Sequence, residues 1–113
     1  MTKAWIEKNL EAVRHLRSTY KLAMELQNDS SDTYSTDYFI IKTMAKRPNM
    51  KFKPNNGSYQ CPLCTVNDTL CIECPWTMFT NQSCHTCQFW KDSLLKRLKR
   101  LNEWESKLME MRG

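Results

Sequence analysis

Six cysteines, which are all the cysteines of this 113-residue chain, lie between positions 61 and 87. They form three CxxC pairs: Cys61 and Cys64, Cys71 and Cys74, and Cys84 and Cys87. Two intervening residues allow a tight turn that directs both sulfurs at one ion, and two such turns complete a tetrahedral four-thiolate zinc site. We therefore expect these cysteines to bind zinc, although three pairs exceed the need of a single site. An iron–sulfur cluster also takes four thiolates, and the spacing leaves it as an alternative.

Three disulfides are the competing interpretation of six clustered cysteines. Four N-x-[ST] patterns, at Asn28, Asn56, Asn67 and Asn81, resemble acceptor sites for glycans in extracellular proteins. However, residues 1–8 carry charges where an export signal needs a continuous apolar stretch. We therefore expect a cytoplasmic protein, and in a reducing compartment clustered CxxC sequences bind metal rather than form disulfides.

The order of cysteines and prolines resembles a pattern in known proteins. The sequences Cys61-Pro62-Leu63-Cys64 and Cys71-Ile72-Glu73-Cys74-Pro75, with the later Cys84, resemble the CPLC...CxxCP...C pattern of small, mostly uncharacterised bacteriophage and prophage proteins. The resemblance covers the cysteine segment and not its flanks, and Cys87 departs from it. It implies a phage origin and action in the cytoplasm of a host cell, and it assigns no reaction.

The sequence offers little for catalysis. Its two glycines cannot form the Gly-rich phosphate loops of nucleotide enzymes. The histidines are His15, in a helical segment, and His85, between two metal-type cysteines, and Glu73 is the nearest carboxylate to a CxxC metal site. A catalytic zinc keeps an open coordination position beside an acid or base. We therefore predict a non-enzymatic protein.

Hydrophobic spacing predicts a single, mainly α-helical domain. Residues 1–30 form a long helix, because apolar residues from Ile6 to Met24 recur at intervals of three and four, and Thr2 caps it. Residues 31–50 contain a shorter helix on which Tyr34, Tyr38, Ile41 and Ala45 share a face. Residues 51–87 contain a small hairpin around residues 54–57 and then the cysteine segment, which we expect to consist of metal-binding loops, or knuckles.

Residues 88–113 form the second long helix. Its apolar seam runs through Trp90, Leu94, Leu98, Leu101, Trp104 or Glu105, Leu108 and Met111. We expect this helix to pack antiparallel to the first, with the cysteine segment closing one end of the pair. The apolar surface of this seam is larger than a chain this short can cover. We therefore consider a homodimer that forms through the helices.

Two binding functions follow from these features. The first is a phage-type interaction protein that docks on a host protein, for example as an inhibitor of a nuclease, a defence complex or a polymerase, through exposed aromatics at Trp76, Phe79 and Phe89. The alternative is a nucleic-acid-binding regulator that uses the basic run Lys96, Arg97, Lys99 and Arg100. The formal net charge of +5 permits either function, and no apolar run is long enough to cross a membrane.

Overall fold

The computed structural model describes residues 2–31, 36–45, 62–68, 71–81 and 93–113. Its elements are α1 (Lys3–Asp29), α2 (Thr36–Ala45), α3 (Pro62–Val66), a 3-10 turn (Cys71–Glu73), α4 (Pro75–Thr80) and α5 (Leu94–Arg112). These ranges contain helices and no strand. The hairpin expected in residues 51–60 lies outside the described residues, as do Tyr34, Phe89 and Trp90.

The N-terminal helix forms as its sequence predicts. The hydroxyl oxygen of Thr2 accepts a hydrogen bond of 3.1 Å from the backbone N–H of Trp5, which confirms the predicted cap. Ile6, Leu10 and Tyr20 belong to the predicted apolar stripe and are buried. Trp5, expected at the edge of the stripe, is also buried, because the cysteine segment covers that edge.

The two long helices pack against each other in antiparallel orientation. Near the start of α1, Glu7 forms an ion pair with Arg112, which lies at the end of α5. Farther along α1, Arg17 donates a hydrogen bond to the side-chain oxygen of Asn102, which lies earlier in α5. Such a pair buries one apolar stripe from each helix.

The C-terminal helix begins later than its periodicity suggests. Ser93 is extended, and its hydroxyl oxygen accepts a hydrogen bond from the N–H of Lys96, so Ser93 caps a helix that starts at Leu94 rather than at residue 88. Within this single chain the predicted seam is covered from Leu94 to Leu108, whereas Met111 is exposed. Leu95 and Met109 are exposed on the same helix, so α5 keeps some uncovered apolar surface and the homodimer stays a prediction.

The short helix α2 packs on α1 with a different face from the predicted one. Phe39, Ile40 and Thr43 are buried, whereas Ile41 is 45% exposed and Tyr38 is half-buried. The hydroxyl of Thr43 donates to the carbonyl oxygen of Phe39 at 2.8 Å, which satisfies this polar group inside the core. Because the run from Tyr38 to Ile41 is apolar throughout, spacing alone does not identify its buried face.

The described part of the cysteine segment is helical rather than loop-like. It consists of α3, the 3-10 turn and α4, and its Leu63 and Trp76 are 3% exposed within the main core. Pro62 and Pro75 are each the first residue of a helix, where a proline loses no backbone hydrogen bond. The repeated Cys-Pro dipeptide is the sequence signal for these two helix starts.

Candidate metal centre

Three of the six predicted metal ligands lie in or beside these short helical elements. Cys64 lies within α3, Cys71 begins the 3-10 turn, and Cys74 is the N-cap of α4. The side chains of Cys64 and Cys74 are half-buried. Cys61, Cys84 and Cys87 lie outside the described residues, and nothing is described of the Cys71 side chain. Within the described ranges there is accordingly no cluster of three or more metal-ligating side chains.

A hydrogen bond from α1 holds the second CxxC turn. The indole Nε1–H of Trp5 donates to the backbone carbonyl oxygen of Glu73 at 2.9 Å. Glu73 lies between Cys71 and Cys74, so this bond attaches the backbone of the turn directly to the first helix. A CxxC turn whose backbone is fixed in this way has little backbone freedom left to lose on metal binding.

A buried amide pair attaches the first cysteine helix to the same face of α1. Asn67, which follows α3, donates from Nδ2 to Oδ1 of Asn9 at 2.8 Å and to the carbonyl oxygen of Leu63 at 2.7 Å. Asn9 in turn donates to the carbonyl oxygen of Trp5 at 2.8 Å. Both amides are fully buried. The N-x-[ST] pattern at Asn67 is thus incompatible with glycan attachment in this fold.

Aromatic and cationic side chains hold α4 on α5. The rings of Trp76 and Trp104 meet edge to face, with centroids 4.8 Å apart. The guanidinium of Arg100 lies 4.9 Å from the ring centroid of Trp76, and the ammonium of Lys107 lies 5.0 Å from that of Phe79. The segment that carries Cys64 and Cys74 therefore contacts both long helices.

The donor set fits zinc by its chemistry. Cysteine thiolates are soft ligands that suit zinc and iron–sulfur clusters, and structural zinc sites take four of them.

The structure changes the surface expected for partner binding. Trp76 is 3% exposed because it packs on Trp104, so it belongs to the core rather than to an exposed docking surface. Phe79 is half-buried, and Phe89 lies outside the described residues. Among the described residues of the cysteine segment, the large apolar side chain that is exposed is instead Ile72, at 78% exposure, within the second CxxC turn.

The basic run of α5 is also divided between core and surface. Arg97 is 1% exposed, with its guanidinium 5.6 Å from the ring centroid of Tyr20, so it cannot contact a phosphate in this fold. Arg100 is half-buried against Trp76, whereas Lys96 and Lys99 are exposed. Of the four predicted phosphate ligands, two are therefore exposed.

Sequence reasoning missed the polar anchors of the site. Trp5 and Asn9 are one helical turn apart, next to the predicted apolar stripe, and this spacing was the available signal. Their partners, Glu73 and Asn67, lie in a segment whose approach to α1 is not encoded by any local pattern.

Comparison with known proteins assigns this chain to no family. No protein-family model, no curated protein and no solved structure matches it. Of the helices in the described ranges, none combines the length and the apolar character that crossing a membrane requires.

Proposed function

We propose that this chain is a non-enzymatic zinc protein that acts by binding another protein. The observation that carries the proposal is the array of three CxxC pairs, of which Cys64, Cys71 and Cys74 lie in or beside short helical elements attached to α1. Trp5 holds the backbone between Cys71 and Cys74, and Asn9 holds the residue that follows α3. A structural zinc site on these elements would join the cysteine segment into one unit with the long helices.

The acidic groups of the described cysteine segment favour a structural role for the metal. Asp68 and Glu73 are both exposed. A catalytic zinc site places its acid or base in a cleft beside an open coordination position, where burial tunes the proton affinity of the group. Solvated carboxylates on the outside of short turns lack this environment.

Protein contact is the role that the exposed part of this segment supports. Ile72 presents an apolar side chain at 78% exposure on a turn that is held by Trp5. A rigid apolar side chain costs little entropy when a partner covers it. The resemblance to phage proteins makes a host protein, such as a nuclease, a defence complex or a polymerase, the expected partner, and inhibition the expected effect.

Native mass spectrometry of the purified chain with elemental analysis tests the metal. We expect zinc, and we expect Cys64→Ser and Cys74→Ser each to lower its stoichiometry or its resistance to chelators. His85→Asn is the matched variant that keeps all six thiols, and it reports whether the imidazole contributes a ligand. A reduced, folded protein that binds no zinc would contradict the proposal, as would bound iron with acid-labile sulfide.

A further inference from the structure

Three cationic side chains lie in a row along the side of α1 that flanks α5. Arg14, Arg17 and Lys21 follow one another at intervals of three and four residues, which brings them to one side of a helix. With Ser18, Leu22 and Glu25 they line an open cavity of about 380 Å³. At 1.5 Å per residue the row spans about 10 Å along the helix axis.

The two arginines are fixed by a single carboxylate from the other long helix. Glu105 Oε2 accepts from Arg14 Nε at 2.8 Å and from Arg17 Nη2 at 3.0 Å, and Glu105 Oε1 accepts from Arg17 Nη1. The hydrogen bond from Arg17, followed by that from Arg14, lowers the pKa of Glu105 against the opposing effect of its burial. One negative charge thus orients two guanidinium groups and leaves this arginine pair with one positive charge in excess.

Lys21 extends this excess charge along the helix. Its side chain is exposed, and in the described part of the chain it forms no ion pair. Counting Glu25 and Glu105 against the three cations, the groove still carries one surplus positive charge. Because α5 runs antiparallel, its exposed Lys96 and Lys99 lie at the same end of the helix pair as Lys21, which adds to the positive potential there.

We propose that Arg14, Arg17 and Lys21 form a site for the phosphate groups of a nucleic-acid strand. Guanidinium groups whose orientation is already fixed lose little entropy on pairing with a phosphate oxygen. The groove is open rather than enclosed, and a small phosphorylated molecule would need walls that bury most of its surface. An extended strand suits cations that are placed at successive helical turns. This site lies on α1, whereas the basic run of α5 has two of its four cations against aromatic rings.

Binding of a fluorescently labelled single-stranded oligonucleotide, measured by anisotropy over a range of salt concentrations, tests the site. The lead variant is Lys21→Gln, because this exposed side chain pairs with no described carboxylate and its loss leaves the Glu105 ion pairs intact. Lys3→Gln is the matched control, since it removes the same charge from an exposed position near the other end of α1. Arg14→Gln is a second variant, whose folding is checked by circular dichroism.

We expect Lys21→Gln to weaken binding about fivefold, the effect of one close charge pair in water. The slope of log affinity against log salt should fall by about 0.7, the value for one lost phosphate contact on a single strand. Lys3→Gln should change neither quantity. The proposal is overturned if the wild-type chain shows no salt-dependent binding, or if both lysine variants weaken binding equally. It is also overturned if Lys96→Gln with Lys99→Gln abolishes binding while Lys21→Gln has no effect.

Discussion

The side-chain amides of Asn9 and Asn67 form a fully buried pair between residues 58 positions apart in the sequence. The pair joins α1 to the residue after α3, and each amide also satisfies a nearby backbone carbonyl. Each polar side chain is therefore acceptable in the core only while the other is present. This reciprocity fixes the register of the cysteine segment on α1.

Removing one member of this amide pair should destabilise the fold strongly. Asn67→Ala leaves the Asn9 amide buried without its partner, which costs about 1–3 kcal/mol in addition to the lost hydrogen bonds. The double variant Asn9→Ala with Asn67→Ala should lose less than the sum of the single variants, and urea unfolding measures this coupling. Asn28→Ala, at an exposed position near the end of α1, is the control. Additive single effects would show that the two amides act independently.

Arg97 should be needed for folding rather than for ligand binding. Its side chain is 1% exposed and lies over the ring of Tyr20, so Arg97→Glu reverses a charge inside the core. We expect a loss of about 3–5 kcal/mol, the cost of disrupting a buried charged group. Lys99→Glu makes the same change at an exposed position two residues away and should leave the thermal midpoint nearly unchanged. Equal stability of the two variants would contradict the buried position of Arg97.

The predictability of this fold depends on how far each element is determined locally. The stripe of α1 and its Thr2 cap follow from three-and-four spacing and a hydroxyl at the right position, and both are confirmed. In α5 the same spacing identifies Leu98 and Leu101 as core. It also continues to residues before Ser93, although Ser93 is the N-cap and the helix begins at Leu94. Spacing describes a face, and the side chain of the cap determines where the helix begins.

Burial of long amphipathic side chains cannot be predicted from residue type. Arg97 enters the core because Tyr20 of the antiparallel helix offers an aromatic ring to its guanidinium. Trp76 is buried because Trp104 lies opposite it. Both outcomes depend on tertiary contacts between segments that are distant in the sequence. The local pattern of a single sequence does not specify these contacts. The proposed metal ligands are different, since the CxxC spacing alone predicts that the members of each pair lie close together, without reference to a distant segment.

The ion pairs of Glu105 should make stability depend on pH in the acidic range. The pKa of Glu105 is lowered in the folded state by the hydrogen bonds from Arg17 and Arg14, so its stabilisation is complete above the pKa of the unfolded carboxyl, about 4.3. It is lost as the pH falls through the folded value. Glu105→Gln should cost about 1 kcal/mol at pH 7, and this difference should shrink towards pH 3.

The free energy of unfolding in urea, measured at a series of pH values, checks this dependence. Glu103→Gln, at an exposed position on the same helix, is the matched control and should show no comparable dependence. A Glu105→Gln effect that stays constant from pH 7 to pH 3 would mean that the loss comes from packing rather than from the carboxylate charge.

Removal of zinc should change the environment of Trp5, if the cysteines hold the metal as proposed. The indole of Trp5 donates to the carbonyl oxygen of Glu73 within the second CxxC turn, so a turn released from the metal would no longer hold this acceptor in place. We expect a chelator to shift the tryptophan emission to longer wavelength and to lower the thermal midpoint, because metal binding and folding of such a segment are coupled.

The contribution of Trp5 to this shift is the difference between the wild type and Trp5→Phe, which keeps an apolar ring but lacks the N–H donor. Leu95→Ala, at an exposed position on α5, is the control and should retain the full shift. If chelation removes all zinc while the emission and the thermal midpoint of the wild type stay unchanged, the metal does not support the attachment of the cysteine segment to α1.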